Sequence, residues 1–302
     1  MKINKKLIML LFILSVYNVN YSANIEKNSH EKVKKEENKE KKLSEEVLIS
    51  QAEKGDAYSQ NMLGMLYENE EKFDLAKKYY QMAAEQGDIY GISNLGVLYE
   101  TEQDYPMAEK YYFLAAERGY HVAQNDLGVL YEKQEKYDLA EKYYQMAANQ
   151  GNKNAQFNLG VLYNDRGKLD LAEAYFKLVA DTGDKDAQHN LGSFYGGNGN
   201  YEMAVYYYKL AMEQGNLNSI TDLGTLYYNE NFYEEAEEYW KIAAEKDDEK
   251  AQYNLGILYK NQKKYDLAEK YFKMAADWGD KEAEKELEEL DRKEDGKKEL
   301  NR

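Results

Sequence analysis

Few side chains in this sequence could act on a substrate. Among its 302 residues there are three histidines and no cysteine. His30, His121 and His189 are scattered, with no His-x-x-His or His-Glu-x-x-His spacing, so zinc has no ligand set. Carboxylates abound, 56 in all, and pairs of them recur on exposed helix faces in most segments. Two acids working as general acid and base need a unique enclosed pocket instead. The one glycine cluster, Gly196-Gly197-Asn198-Gly199-Asn200, has no Gly-Lys-Ser/Thr after it and reads as a flexible turn, not a phosphate loop. The sequence thus nominates no catalytic residue, no metal and no cofactor, and the expectation is a protein that is not an enzyme.

Charge narrows the partners. The formal net charge is −16; without the three lysines near the N-terminus, 37 basic residues face 56 acidic ones. Such a surface repels phosphate backbones and anionic lipid surfaces, which argues against nucleic acid, and no membrane insertion of the mature chain is expected. The expected partner is a protein or peptide, with the oligomeric state left open.

What must position any binding residue is a repeat. Leu-Gly recurs seven times at intervals of 32 residues, from Leu63-Gly64 to Leu255-Gly256. A period of this length signals stacked supersecondary units. Tyr67, Ala76 and Tyr79 return unchanged in every copy, and the residue after Tyr79 is always aromatic: Tyr80, Tyr112, Tyr144, Phe176, Tyr208, Trp240, Phe272. An aromatic stripe at helical spacing is core packing, which accounts for the 31 tyrosines.

Each copy divides into two helices. Helix A is predicted over about Ala57 to Asn69 in the first copy, with Leu63, Leu66 and Tyr67 on one face. Helix B is predicted over about Phe73 to Gln86, with Ala76, Tyr79, Tyr80, Ala83 and Ala84 as its apolar stripe. An acidic residue opens most B helices and complements the helix dipole; the exception is Pro106, the sole proline, placed at the first helical position. Glycine closes helix B except at Asp247, which marks a less regular junction. The glycine of Leu-Gly costs helix propensity and implies a close helix crossing.

From Leu63-Gly64 through Tyr67, Ala76, Tyr80 and Ala83, the spacing resembles the tetratricopeptide repeat. The junction Ala83-Ala84-Glu85-Gln86-Gly87-Asp88, followed by Leu95-Gly96, is similar to Sel1-like repeats, although the loop between the two helices is shorter than theirs. The resemblance covers about residues 46 to 290. It implies an all-α, right-handed α-solenoid of seven 32-residue helix-turn-helix repeats with terminal capping helices, and a scaffolding role. Some exported Sel1-like proteins carry a disulfide in each repeat; this cysteine-free chain departs from them.

The tetratricopeptide resemblance places ligands on the concave face, at variable columns of helix A. The candidates there are Tyr58, Asn61, Tyr90, Asn125, Phe157, His189, Tyr228, Tyr253 and Lys260. They describe a groove with an acidic, tyrosine-bearing N-terminal half and a Lys250/Lys260 end, suited to an extended or helical segment of matching charge. The residues before Leu-Gly, such as Asn94, Asp126 and Asp222, are as well suited to bonding backbone between repeats as to holding a ligand.

The ends carry other signals. Lys2, Lys5 and Lys6 precede the apolar run Leu7 to Val16, which predicts a secretory signal over 1-23 cleaved near Ala23, with an uncleaved anchor as the alternative. The mature chain would then be periplasmic or secreted. Residues 24-43 are Lys/Glu-dense and predict a flexible spacer; the repeat domain is expected over 44-294, opening with a half unit, and a disordered tail over 295-302. The leading expectation is an exported scaffold that binds a protein or peptide. The alternatives are an enzyme acting on cell-envelope polymers and a structural, self-assembling spacer.

Overall fold

The computed structural model describes residues 45–300, so the predicted signal and spacer lie outside the described residues. Among the described residues every regular element is an α-helix. The chain divides into two compact units, residues 1–150 and 151–302.

Among the described residues the first unit holds seven helices: α1 (45–53), α2 (Ala57–Asn69), α3 (Phe73–Glu85), α4 (Ile89–Thr101), α5 (Tyr105–Ala116), α6 (His121–Lys133) and α7 (Tyr137–Ala148). The second holds nine: α8 (Lys153–Asp165), α9 (Leu169–Ala180), α10 (Lys185–Gly197), α11 (Tyr201–Glu213), α12 (Leu217–Asn229), α13 (Tyr233–Ala244), α14 (Glu249–Asn261), α15 (Tyr265–Asp277) and α16 (Lys281–Leu300). The A helices are α2, α4 and α6 in the first unit and α8, α10, α12 and α14 in the second. Within each unit successive helices pack on one another, so each is a stack of helix hairpins, the solenoid architecture expected.

The seven Leu-Gly glycines are explained by one contact. The core aromatic of helix B in the same repeat lies flat against each: Tyr80 on Gly64, Tyr112 on Gly96, Phe176 on Gly160, Trp240 on Gly224. A Cβ added at these glycines would stand 2.3–2.8 Å from a ring carbon, well inside van der Waals contact. Leu63, Ala76 and Tyr80 are fully buried around this point, as are their counterparts Leu95, Ala108 and Leu127. A second ring pair seals each hairpin: Tyr67 stacks on Tyr79 with centroids 5.5 Å apart, Tyr99 on Tyr111 at 5.5 Å and Tyr259 on Tyr271 at 5.6 Å.

Junctions between repeats are closed by the Gly-Asp pair. Gly87 takes φ +85°, and Asp88 N–H bonds the Ala83 carbonyl at 3.0 Å, the bond that terminates a helix in a left-handed residue. Asp88 then caps α4 by accepting from Gly91 N–H at 2.7 Å. The buried Gln60 amide donates to the Ala52 carbonyl at 3.0 Å, which ties α2 to α1 and makes α1 the expected half unit.

Four expectations change in detail. Asp247 adopts φ +63° and keeps the bonding of the other junctions, because its N–H still reaches Ala244. Pro106 is the second residue of α5, and Asp104 caps that helix. Gly196 and Gly197 are the last residues of α10; only Gly199, at φ +76°, makes the turn. The tail from residue 295 continues α16 as far as Leu300, in line with the helix propensity of its Lys and Glu residues.

Candidate partner-binding face

Positions 58, 61, 65 and 68 of α2 are three and four residues apart and share one stripe of the helix. This stripe and its counterparts on the other A helices carry the nine predicted residues. Each unit treats its stripe differently.

In the first unit the stripe is apolar at its near end and acidic at its far end. Tyr58 and Tyr90 stand in solvent, 48% and 50% exposed, and Met65 and Val97 are also exposed. Tyr90 meets Tyr120 edge-on at 5.3 Å. Asn61 and Asn125 are buried, only 4% and 7% exposed, so both belong to the packing and neither is a free ligand group. Asn94 donates to the Asn61 carbonyl oxygen at 2.8 Å, and Asn125 donates to Asp126 at 3.2 Å. Asn94 and Asp126, equally suited by sequence to backbone and to ligand, thus take part in side-chain bonds.

The acidic end is tied to the core. Tyr80 donates its hydroxyl to Glu68 at 2.5 Å, Tyr112 to Glu100 at 2.8 Å and Tyr144 to Glu132 at 2.6 Å. Burial, then the hydrogen bond to the carboxylate, pushes all three tyrosines far above their usual range, so each hydroxyl is a permanent donor. The bond engages one carboxylate oxygen and leaves the second available to another donor. At Glu100 that oxygen accepts from Lys133 at 2.7 Å. Asp126 stands close by: burial raises its carboxyl to about 6, Glu100 adds to the rise and the Asn125 amide opposes it.

In the second unit the same column holds Asn164, Gly196, Tyr228 and Lys260. Aromatic packing replaces the hydroxyl–carboxylate bond there. Phe157 covers Phe176 at 5.6 Å, His189 covers Tyr208 at 5.6 Å, Tyr228 covers Trp240 at 5.3 Å and Tyr253 covers Phe272 at 5.8 Å. Four of the predicted ligand residues are therefore lids on the core, half-buried in their own repeats. Lys260 is paired with Glu286 and, at 3.3 Å, with Glu289, both on the terminal helix α16, so it is no free cation.

One cluster in this unit has the composition of a nucleophilic triad. His189 Nδ1 lies 3.0 Å from Ser219 Oγ, and Nε2 lies 3.6 Å from an Asp222 oxygen. Ser219 is fully buried and its hydroxyl donates to Asn216 at 2.9 Å, as part of the cap of α12. An inaccessible hydroxyl engaged elsewhere cannot attack a substrate. Burial raises the Asp222 carboxyl above its usual range, while His189 and Lys250 oppose the shift. Among the described residues no group of three His, Asp or Glu side chains is placed to hold a metal ion, and no helix is long and apolar enough to cross a membrane.

The Glu68 column and the aromatic column are partly coupled in the sequence. Where the aromatic is Tyr80, Tyr112 or Tyr144, the residue twelve positions earlier is Glu; where it is Phe176, Trp240 or Phe272, it is not, and Tyr208, with Gly196 at that position, donates to Ser193 instead at 3.2 Å.

Helix hairpins stacked at a fixed period, each closed by glycine against a ring, define an α-helical repeat protein. The family models divide it further. The tetratricopeptide repeat model matches residues 125–189 and 221–282, and the Sel1 repeat model matches 57–88, 90–120 and 185–216. The chain is a Sel1-like, tetratricopeptide-like repeat protein. Among solved structures, it resembles a protective antigen of uropathogenic Escherichia coli that displays a Sel1-like repeat fold, at 27% identity and TM-score 0.62, over 82% of this chain and 59% of that one. The chain thus spans less than two thirds of that antigen. A Sel1 repeat protein from Oxalobacter formigenes matches at 26% identity and TM-score 0.51, over 63% of this chain and 85% of that one. The C-terminal part of a repeat protein from Cytophaga hutchinsonii shares the fold at 16% identity and TM-score 0.59, over 77% of this chain and 99% of that one. No curated protein matches this chain by sequence.

Proposed function

We propose that this protein is an exported scaffold that binds a segment of another protein through the A-helix face of its first unit. Repeat proteins of this kind are typical vehicles of protein–protein interaction. The observation that carries the reading is the exposure of Tyr58, Met65, Tyr90 and Val97 on successive A helices of one unit. Tyrosine in such a position supplies contact area at low entropic cost, and an apolar stripe rimmed by carboxylates is an ordinary feature of interaction surfaces. Export rests on the basic, then apolar, order of residues 2–16 and the small residues Ser22 and Ala23. N-terminal sequencing of the protein from its own cells should find a chain beginning close to Ala23.

Binding is favoured over catalysis because the groups that look reactive are engaged. Ser219 is buried, and Tyr112 and Tyr144 are committed to Glu100 and Glu132. The raised Asp126 carboxyl is a feature a hydrolytic reading could use, but the carboxylate that acts on it, Glu100, is already engaged by Tyr112 and Lys133.

The test is a crosslinking comparison of the native protein with Tyr58→Ala/Tyr90→Ala. Both side chains stand in solvent, so the helical circular dichroism spectrum should be unchanged. A protein crosslinked to the native chain should be lost from the variant; equal crosslinking of every partner would refute the assignment of this face.

A further inference from the structure

The first unit also specifies the charge of what it binds. Resting on the reading of the A-helix face above, we infer that its partner is a basic amphipathic segment whose Lys or Arg side chains are received by Glu68 and Glu132. Three observations converge on this. The carboxylates are pre-oriented: the Tyr80 and Tyr144 hydroxyls, at 2.5 Å and 2.6 Å, hold one oxygen of each, and both glutamates remain partly exposed. The chain itself shows what the second oxygen takes. At the equivalent Glu100, Lys133 donates to that oxygen at 2.7 Å while Tyr112 holds the other. Glu68 and Glu132 have the tyrosine bond and no ammonium. Finally, the apolar part of the segment has a place one turn away, at the exposed Met65 and Val97 and beside Tyr90.

Pre-orientation matters energetically. A carboxylate on an exposed side chain normally loses rotamer freedom when it pairs, which cancels much of the attraction. Here the tyrosine bond has already removed that freedom, so an incoming cation meets a fixed acceptor. A side chain bound at Glu68 or Glu132 completes the three-part contact of tyrosine, carboxylate and ammonium already seen at Glu100. The second unit offers no such row, since its column holds Asn164, Gly196, Tyr228 and a Lys260 already paired with Glu286.

The experiment uses the full chain and a fluorescein-labelled amphipathic Lys/Leu peptide, read by anisotropy, against the same peptide carrying Glu at every Lys. The native protein should bind the first and not the second. Glu68→Gln/Glu132→Gln keeps an acceptor for each tyrosine and should weaken binding about tenfold, the effect of one to two surface ion pairs. The control is Glu71→Gln/Glu135→Gln, which removes the same charge from exposed turns where Gln103 already occupies the equivalent position. It should change binding by less than about twofold. If the control weakens binding as much as the stripe variant, bulk charge is responsible and the inference fails. If Tyr58→Ala/Tyr90→Ala weakens binding and the stripe variant does not, the face stands and the charge assignment falls. No binding of the Lys/Leu peptide overturns the inference, and indifference to every variant overturns both readings.

Discussion

The two units fill the same space under the same glycine with different chemistry. In the first, a tyrosine hydroxyl passes beneath Leu-Gly and ends on a glutamate at the surface, as Tyr112 does on Glu100. In the second, Phe176 and Phe272 carry no hydroxyl and are covered by Phe157 and Tyr253, while Trp240 donates its indole N–H to the Thr221 carbonyl at 3.1 Å. A buried hydroxyl must find an acceptor, so a tyrosine core imposes a surface acceptor. A phenylalanine core imposes nothing polar and leaves the surface position to other uses. The difference teaches that the surface columns of this repeat are set partly from below, and that only the first unit turns this constraint into a row of fixed carboxylates.

The largest test of the comparison is to crowd the ring. Gly96→Ala would place Cβ 2.5 Å from Tyr112 Cδ1, and that ring is anchored at its far end by Glu100. Gly160→Ala would approach Phe176 at 2.8 Å, and that ring has no anchor. Overpacking costs of this kind run to about 3 kcal/mol. Gly96→Ala should approach that figure and Gly160→Ala should cost roughly half as much. Urea melts of both variants measure this, and equal losses would mean that the hydroxyl bond does not stiffen the ring.

Next in size is the pair Asp126 and Asp222. Folding raises the Asp126 carboxyl from 3.8 to about 6, so the folded state holds the proton more tightly than the unfolded chain. The group is therefore neutral and harmless below about pH 4, and its ionisation costs stability increasingly as the pH rises towards about 6. Asp126→Asn should stabilise the protein by up to ~2 kcal/mol at pH 7 and by almost nothing at pH 4. Asp222→Asn should gain less at pH 7, because Asp222 has His189 and Lys250 to offset its burial. Thermal melts at the two pH values check both, and a larger gain at pH 4 than at pH 7 would reverse the argument.

The smallest effect concerns the turns between helices A and B. Glu71, Gln103 and Glu135 hold φ near +60° in the first unit, where the second unit has Gly167 and Gly199 and then Asn231 and Lys263. A side chain there costs about 1 kcal/mol, partly offset by the greater freedom of glycine in the unfolded chain. Glu71→Gly should therefore stabilise by about 0.5 kcal/mol and Gly167→Ala should destabilise by a similar amount, visible as opposite shifts of Tm.

Much of the fold was legible because its signals are local. Leu63-Gly64, Ala76 and Tyr80 gave the helix pair, and Gly87-Asp88 gave the stop and the cap, each acting within a few residues of the chain. The candidate face was legible only in part. Tyr58 and Tyr90 stand in solvent as their column suggests, but Asn61 and Asn125 sink into the packing, Phe157 and Tyr253 become lids, and Lys260 is taken by Glu286. The Tyr80 and Glu68 columns together carry part of this, because Glu stands at 68, 100 and 132 only where the aromatic is tyrosine, although Tyr208 with Gly196 shows that tyrosine alone does not require it.

The sequence by itself determined the period, the helix boundaries, the caps and the need for a glycine at each crossing. These follow from propensity and backbone geometry, which act over one or two turns of chain. Which variable residues remain free for a partner was decided only by the tertiary structure. The contacts that occupy them come from residues twelve, nineteen and twenty-six positions away, as for Tyr80 with Glu68, Tyr228 and Tyr253 with their rings, and Lys260 with Glu286. Exposure is a property of those distant neighbours, and no single column of the repeat contains it.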